Sequence, residues 1–295
     1  MDFLFWLVIV YLTMLLPQVF QTTSSGLYLT LFVVVSIGII VFYYVYMFAE
    51  QTYAEKFKKP FFINCVLVHK KLSNDQLSIL RRQFSFYNKL NIKQQSVFEH
   101  RVATFIKEKN FFGRQGVIVN DEMKVLISAT AVMLTFGFRN YKLPIISSVL
   151  IYPESFISPI NNNLHKGEVN PKLGLIALSW KDFLEGYDIA NDNLNLGIHE
   201  FGHTIHLNSH VKSDISSQIF IDNFKRLKAY LRQNDEERKN LISTKYFRAY
   251  AYTNEFEFVA VLIECFFETP TEFKRSFPKL YLYLRDMLNF HYADF

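Results

Sequence analysis

The stretch Leu196-Gly-Ile-His199-Glu200-Phe-Gly-His203-Thr-Ile-His206 decides how the rest of the chain is read. On a helix, residues i and i+4 leave one face about one turn apart, so His199 and His203 can turn a ring nitrogen toward a single zinc ion. Glu200 lies beside that face. A carboxylate there can take a proton from water that the metal has acidified, which is the chemistry of the HExxH pattern. Phe201, Gly202 and Thr204 carry no charge, no proline interrupts the run, and Asp192 or Asn193 offers a helix cap upstream. The plainer alternative is an amphipathic helix with satisfied histidines, yet two histidines and a glutamate at this spacing favour the metal.

His206 and His210 fall near the same face. His206 is seven residues from His199, about 10 Å along the axis, so one tetrahedral ion cannot collect all three histidines. The longer three-histidine form of the motif would need glycine where His206 stands and histidine where Ser209 stands. Packing or surface roles suit His206 and His210 better.

A third protein ligand has to come from elsewhere, and the best acidic helix is Tyr250-Ala-Tyr252-Thr-Asn254-Glu255-Phe-Glu257-Phe-Val-Ala260-Val261-Leu-Ile-Glu264. Glu257 and Glu264 share a face lined by Ala260 and Val261, where an unpaired carboxylate would be costly and a zinc ion would compensate it. Glu257 also completes an Asn-x-x-Glu capping box with Asn254, so ligand and cap are both open to it. Spacing alone does not choose between Tyr250 and Tyr252 as a further site residue.

Outward from this centre, an α+β domain is expected. Helical patterns cover residues 75–90, 94–106, 121–134, 193–207, 214–232, 255–267 and 270–290, and β-rich runs cover 117–119, 147–152 and 173–179. The run 173–179 could present an edge to an extended peptide. Between Asp2 and Glu50 there is no ionisable Asp, Glu, Lys, Arg or His, and two apolar stretches, 3–20 and 27–48, flank a polar turn at 21–26. Each is close to the roughly 20 residues that span a bilayer. Trp6, Tyr28, Tyr43, Tyr44 and Tyr46 sit toward the ends, as interfacial aromatics do. A cleaved signal peptide fits less well, because Asp2 stands where a basic residue belongs. Lys56, Lys58, Lys59, Lys70 and Lys71 follow the second stretch, so both termini are expected in the cytoplasm. The resulting division is a membrane hairpin at 1–50, a basic linker at 51–71 and a catalytic domain at 72–295.

Half of the 295 residues are hydrophobic and 17% are aromatic, more apolar than an ordinary soluble domain. The net charge of +5 comes with no arginine and lysine stripe, which argues against nucleic acid as a partner. Cys65 and Cys265 suggest neither a disulfide framework nor a zinc knuckle, in keeping with a reducing compartment.

With these residues in view, the chain resembles the bacterial MtfA-type zinc peptidases, named for Mlc titration, and more distantly the catalytic domain of anthrax lethal factor. The likeness rests on Phe105-Ile-Lys-Glu-Lys-Asn-Phe-Phe-Gly113, Val149-Leu-Ile-Tyr152-Pro-Glu-Ser-Phe156, Leu178-Ser-Trp180 with Gly186 following, the His199–His203 motif, Thr253-Asn-Glu-Phe-Glu257-Phe, and Phe266-Phe-Glu-Thr-Pro270. It implies a gluzincin holding one Zn2+ through His199, His203 and Glu257, with Glu200 as general base and Tyr250 as donor to the oxyanion. Glu264 is then expected to support the ligands from behind. A peptide or protein substrate is implied, cut at the cytoplasmic face of the bacterial inner membrane. Two departures stand out: soluble members lack the hairpin, and Val261 stands where lethal factor has a further glutamate. The alternative is a membrane-tethered protein that sequesters a transcriptional regulator. An intact Glu200 argues against binding alone.

Overall fold

The computed structural model describes residues 25–292, apart from residues 65, 67, 159–161 and 189–192. The expected first span, 3–20, and Cys65 lie outside the described residues. The chain divides after Thr52 into two compact units.

The first unit holds most of helix α1 (Ser25–Phe57). Within its stretch Leu31–Phe57 an 18-residue window has a mean hydropathy of 2.4 and no residue buried within the protein, and among the described residues this helix alone is long and apolar enough to cross a membrane. The helix runs nine residues past the sequence expectation, because 49–57 contains no proline or glycine to stop it. It stops at Lys58, whose φ of 58° is left-handed and whose N–H donates to the Ala54 carbonyl at 2.9 Å.

The second unit is a mixed, mostly helical domain with a small sheet. Helices α2 (Asn74–Gln83), α3 (Ser85–Lys89) and α4 (Ile92–Glu108) precede strand β1 (Asn110–Gly113). Residues 75–90 do not form one helix: at Phe84 the backbone turns to φ −116° and ψ 89°, which lets Phe84 and Phe86 both reach the core beside Phe98. Helix α5 (Asp121–Leu134) is buried on every side from Val125 onward, as expected of a central helix. The buried Arg101 closes its far end by donating to the carbonyls of Thr135, Phe136 and Phe138.

After β2 (Ser148–Tyr152) come the hairpin β3 (Phe156–Ile157) and β4 (Leu164–His165), then β5 (Gly167–Asn170) and β6 (Leu175–Ser179). The four-stranded sheet has the order β1-β2-β6-β5. Val149 stands between Phe111 and Ile176 in parallel register, and Gly167 faces Leu178 in antiparallel register. The run at 173–179 is therefore no edge; β6 is paired on both sides, and among the described residues the free edge next to it belongs to β5. Residues 117–119 form no strand either. They follow a reversal at Gln115 and Gly116, both with positive φ, and Ile118 is 87% exposed, so their β-branched side chains have no partner strand to pack on.

Helix α6 (Trp180–Asp188) leads to α7 (Leu196–Val211), α8 (Ile215–Gln233) and α9 (Asp235–Ser243). A short 3-10 turn (Ala249–Tyr252) then delivers the chain into α10 (Glu255–Glu268), followed by α11 (Pro270–Ser276) and α12 (Pro278–Leu288). The expected single helix over 270–290 breaks at Phe277, because Pro278 cannot donate into a continuing ladder and instead starts the next helix. Helices α7 and α10 pack closely where Gly202 meets Ala260: a methyl group on Gly202 would lie 3.4 Å from the Ala260 Cα.

Candidate metal centre

Helix α7 begins later than the sequence suggests. Asn195, not Asp192 or Asn193, is the cap: its Oδ1 accepts from the Ile198 N–H at 3.0 Å while its Nδ2 donates to the Gly186 carbonyl at 2.7 Å. One side chain thus starts α7 and ties it to α6. From that start, His199 and His203 emerge one turn apart with their Nε2 atoms 3.0 Å from each other and their rings at 86°.

Glu257 enters from α10. Asn254 caps that helix by itself, accepting from the N–H groups of Phe256 at 2.9 Å and Glu257 at 3.0 Å, so the Glu257 carboxylate is released from capping. Its Oε2 stands 3.1 Å from His199 Nε2 and 3.3 Å from His203 Nε2. That oxygen is buried and aligned for a hydrogen bond with neither ring. Three lone-pair atoms separated by 3.0, 3.1 and 3.3 Å are close to the edges of a tetrahedron. Bonds of about 2.0 Å to a small divalent ion would require edges of about 3.3 Å. The donor set of two imidazoles and one carboxylate fits such an ion, and among the described residues no other group of three potential ligands converges in this way.

The charges answer to this crowding. Burial opposes a proton on His199, but the adjacent carboxylates of Glu257 and Glu264 outweigh it and raise the imidazole to about 9. Burial likewise opposes ionisation of Glu257, and the two histidines overcome it and hold the carboxyl well below its usual range. Glu200, only 6% exposed, is raised by burial against the pull of the same histidines.

Behind the ligands, Glu264 is wholly buried and its Oε1 takes the Nδ1–H of His199 at 2.5 Å. In the neutral imidazole this keeps the proton on Nδ1 and leaves the Nε2 lone pair free for a metal. Arg248 donates from Nη2 to the same Glu264 oxygen at 2.6 Å. Tyr250, half exposed, sits with its ring centroid 6.1 Å from that of His199; burial and the neighbouring Glu257 push its phenol up to about 12. Tyr252 is occupied elsewhere, donating to the Leu241 carbonyl at 2.6 Å. His206 and His210 form their own pair, 3.2 Å apart at Nε2. The His206 ring packs against Phe220, Phe224 and Phe256, and burial lowers it to about 3.

A cleft of about 610 Å³ opens over the centre, lined among others by Leu164, Gly167, Leu194, Glu200, Arg248 and Tyr250. Two of its residues escape a reading of the sequence. Gly167 carries a faint signal, since glycine in a strand marks a close approach. Arg248 carries none, because its partner lies sixteen residues further along the chain.

A mixed α+β domain with two histidines and a glutamate converging over an HExxH helix is of the metallopeptidase class. Residues 63–289 match the family model described as glucose-regulated metallo-peptidase M90, and the chain belongs to that family, which is the MtfA type. An uncharacterised protein of Synechocystis sp. is 24% identical over 70% of this chain and 81% of its own length. The proteins called Mlc titration factor A of Yersinia pestis and Yersinia pseudotuberculosis are each 24% identical over 65% of this chain and 76% of theirs.

Proposed function

We propose that this chain is a zinc-dependent peptidase, with His199, His203 and Glu257 as the metal ligands. The observation that carries the reading is the convergence of their three donor atoms within 3.0–3.3 Å, with Glu200 and Tyr250 at the same cleft. A zinc ion bound there supplies Lewis acidity, polarising a peptide carbonyl and making water easier to deprotonate. Glu200 accepts the proton of the attacking water and hands it to the departing amine. A carboxyl raised by burial is suited to both halves of that transfer. The Tyr250 hydroxyl donates to the oxygen that gains negative charge. Glu264 keeps His199 turned the right way. An extended substrate pairs along the free edge of β5, whose Gly167 lies against Glu200, with Leu164 and Leu194 as apolar contacts at the rim.

The test is a zinc assay and a peptide-library digest of the purified chain beside Glu200→Gln. Stoichiometric zinc in both, with turnover lower by roughly two to four orders of magnitude in the variant, is the expected result. Equal cleavage by both would end the mechanism. Likeness to Mlc titration factor A favours a second reading, the sequestering of a transcriptional regulator. Under that reading the Glu200→Gln chain keeps its biological effect.

For location, the apolar Leu31–Phe57 supports anchorage in a bilayer, and we place the enzyme in the cytoplasmic membrane as a two-pass protein with a cytoplasmic catalytic domain. The chain should stay with membranes through a carbonate wash, and a reporter fused after Phe295 should register as cytoplasmic. A periplasmic signal would overturn the topology.

A further inference from the structure

The geometry points to Arg248 as a positioning residue of the metal centre, acting on His199 through Glu264; this rests on the peptidase reading above. Glu264 sits in the apolar stretch Val261, Leu262, Ile263 and Cys265 of α10, and its side chain is 0% exposed. A carboxylate in such surroundings is costly unless a cation or several donors meet it. Its Oε1 receives the Nδ1–H of His199 at 2.5 Å and Nη2 of Arg248 at 2.6 Å, while Oε2 has no partner among the described residues. One oxygen is thus fixed from both sides.

The consequence lies in where that oxygen points. A guanidinium only donates, in a rigid planar fork, so it sets the direction of the carboxylate it grips. Nη2 of Arg248 is also 3.1 Å from His199 Nδ1, and two donors at that distance are held together by the acceptor they share. With the Glu264 rotamer fixed, the His199 ring is fixed, and its Nε2 faces His203 and Glu257. Arg248 stands immediately ahead of the 3-10 turn, two residues before Tyr250, and lies 5.8 Å from the Tyr250 ring, so the segment that presents the oxyanion donor also braces the ligand. Other basic groups near the cleft are engaged elsewhere, Lys166 by Asp182 at 2.5 Å.

The experiment strips the purified full-length chain of metal and titrates it with Zn2+ against a chromophoric chelator, for the natural chain, Arg248→Gln, Arg248→Lys, Glu264→Gln and the Arg248→Gln/Glu264→Gln double variant. Arg248→Gln should weaken zinc binding roughly 10 to 100-fold, the range for loss of a group that orients a ligand. Arg248→Lys should recover part of that loss. The double variant should bind zinc no more weakly than Glu264→Gln alone, because Arg248 works through Glu264. At saturating zinc, kcat should fall in Arg248→Gln with KM nearly constant. Unchanged zinc affinity in a folded Arg248→Gln, or losses that multiply in the double variant, would overturn the role. If Arg248→Gln does not fold, full zinc affinity and an unaltered kcat in Arg248→Lys would overturn it equally. A natural chain that takes up no zinc would instead sink the peptidase reading.

Discussion

Gly167 and Glu200 touch across the gap between β5 and α7: a methyl group on Gly167 would stand 2.5 Å from both Cγ and Oε1 of Glu200. The edge strand therefore doubles as a wall that fixes where the carboxylate rests. Gly167→Ala should displace Glu200 without touching a ligand. We expect full zinc content and a kcat reduced by roughly 100-fold, the scale on which a displacement of about 1 Å acts. An unaltered kcat would mean that the strand gives way instead of the carboxylate.

The two tyrosines of the 3-10 turn separate by their partners. Tyr252→Phe removes the bond to the Leu241 carbonyl and should cost about 0.5–1.5 kcal/mol of stability, seen in a denaturant midpoint, with turnover preserved. Tyr250→Phe should lower kcat with little change in KM, since an oxyanion donor acts mainly in the transition state. The reverse pattern would exchange their roles.

What the sequence revealed of this site is what repeats within one element. His199, Glu200 and His203 are legible because helical spacing alone puts them together. Glu257 was ambiguous against a capping role until Asn254 proved sufficient as the cap. Gly167 and Arg248 were illegible, because each matters through a contact between elements, β5 with α7 and the 3-10 turn with α10. The same holds for the sheet. Residues 148–152 are a run of apolar, β-branched and aromatic side chains and are readable, whereas Gly167-Glu-Val-Asn170 is short and polar and owes its strand to pairing with β6. The Val-Ile-Val run at 117–119 shows the converse, strong propensity with no partner.

The third ligand can be assigned by comparing three glutamates of α10. Glu255 points about 200° away around the helix from Glu257 and pairs with Lys228 at 3.0 Å on the exposed side. Glu257→Ala should strip zinc from the chain, Glu264→Ala should weaken its retention by roughly 10 to 100-fold, and Glu255→Ala should leave it alone. Stoichiometric zinc in Glu257→Ala together with its loss in Glu264→Ala would require the two roles to be exchanged.

In the metal-free chain His199 is raised from 6.5 to about 9, so its contribution to stability is complete below the unfolded value and fades as pH rises through about 9. Glu257 is depressed from 4.5, so its contribution is present above that value and is lost as pH falls through the folded one. The metal-free centre is then held best between about 4.5 and 6.5, where both contributions are complete, and weakens toward 9. Zinc must take the place of the His199 proton, so binding near neutral pH should release about one proton, and affinity should rise about tenfold per pH unit until His199 is neutral in the free chain. Calorimetric zinc titrations in two buffers of different ionisation enthalpy measure the release directly. The melting temperature of the metal-free chain should fall as pH is raised from neutrality, while the zinc-loaded chain should hold its own over the same range. A titration with no buffer dependence at neutral pH would show that His199 is already unprotonated there, and that Glu257 and Glu264 together do not hold its proton.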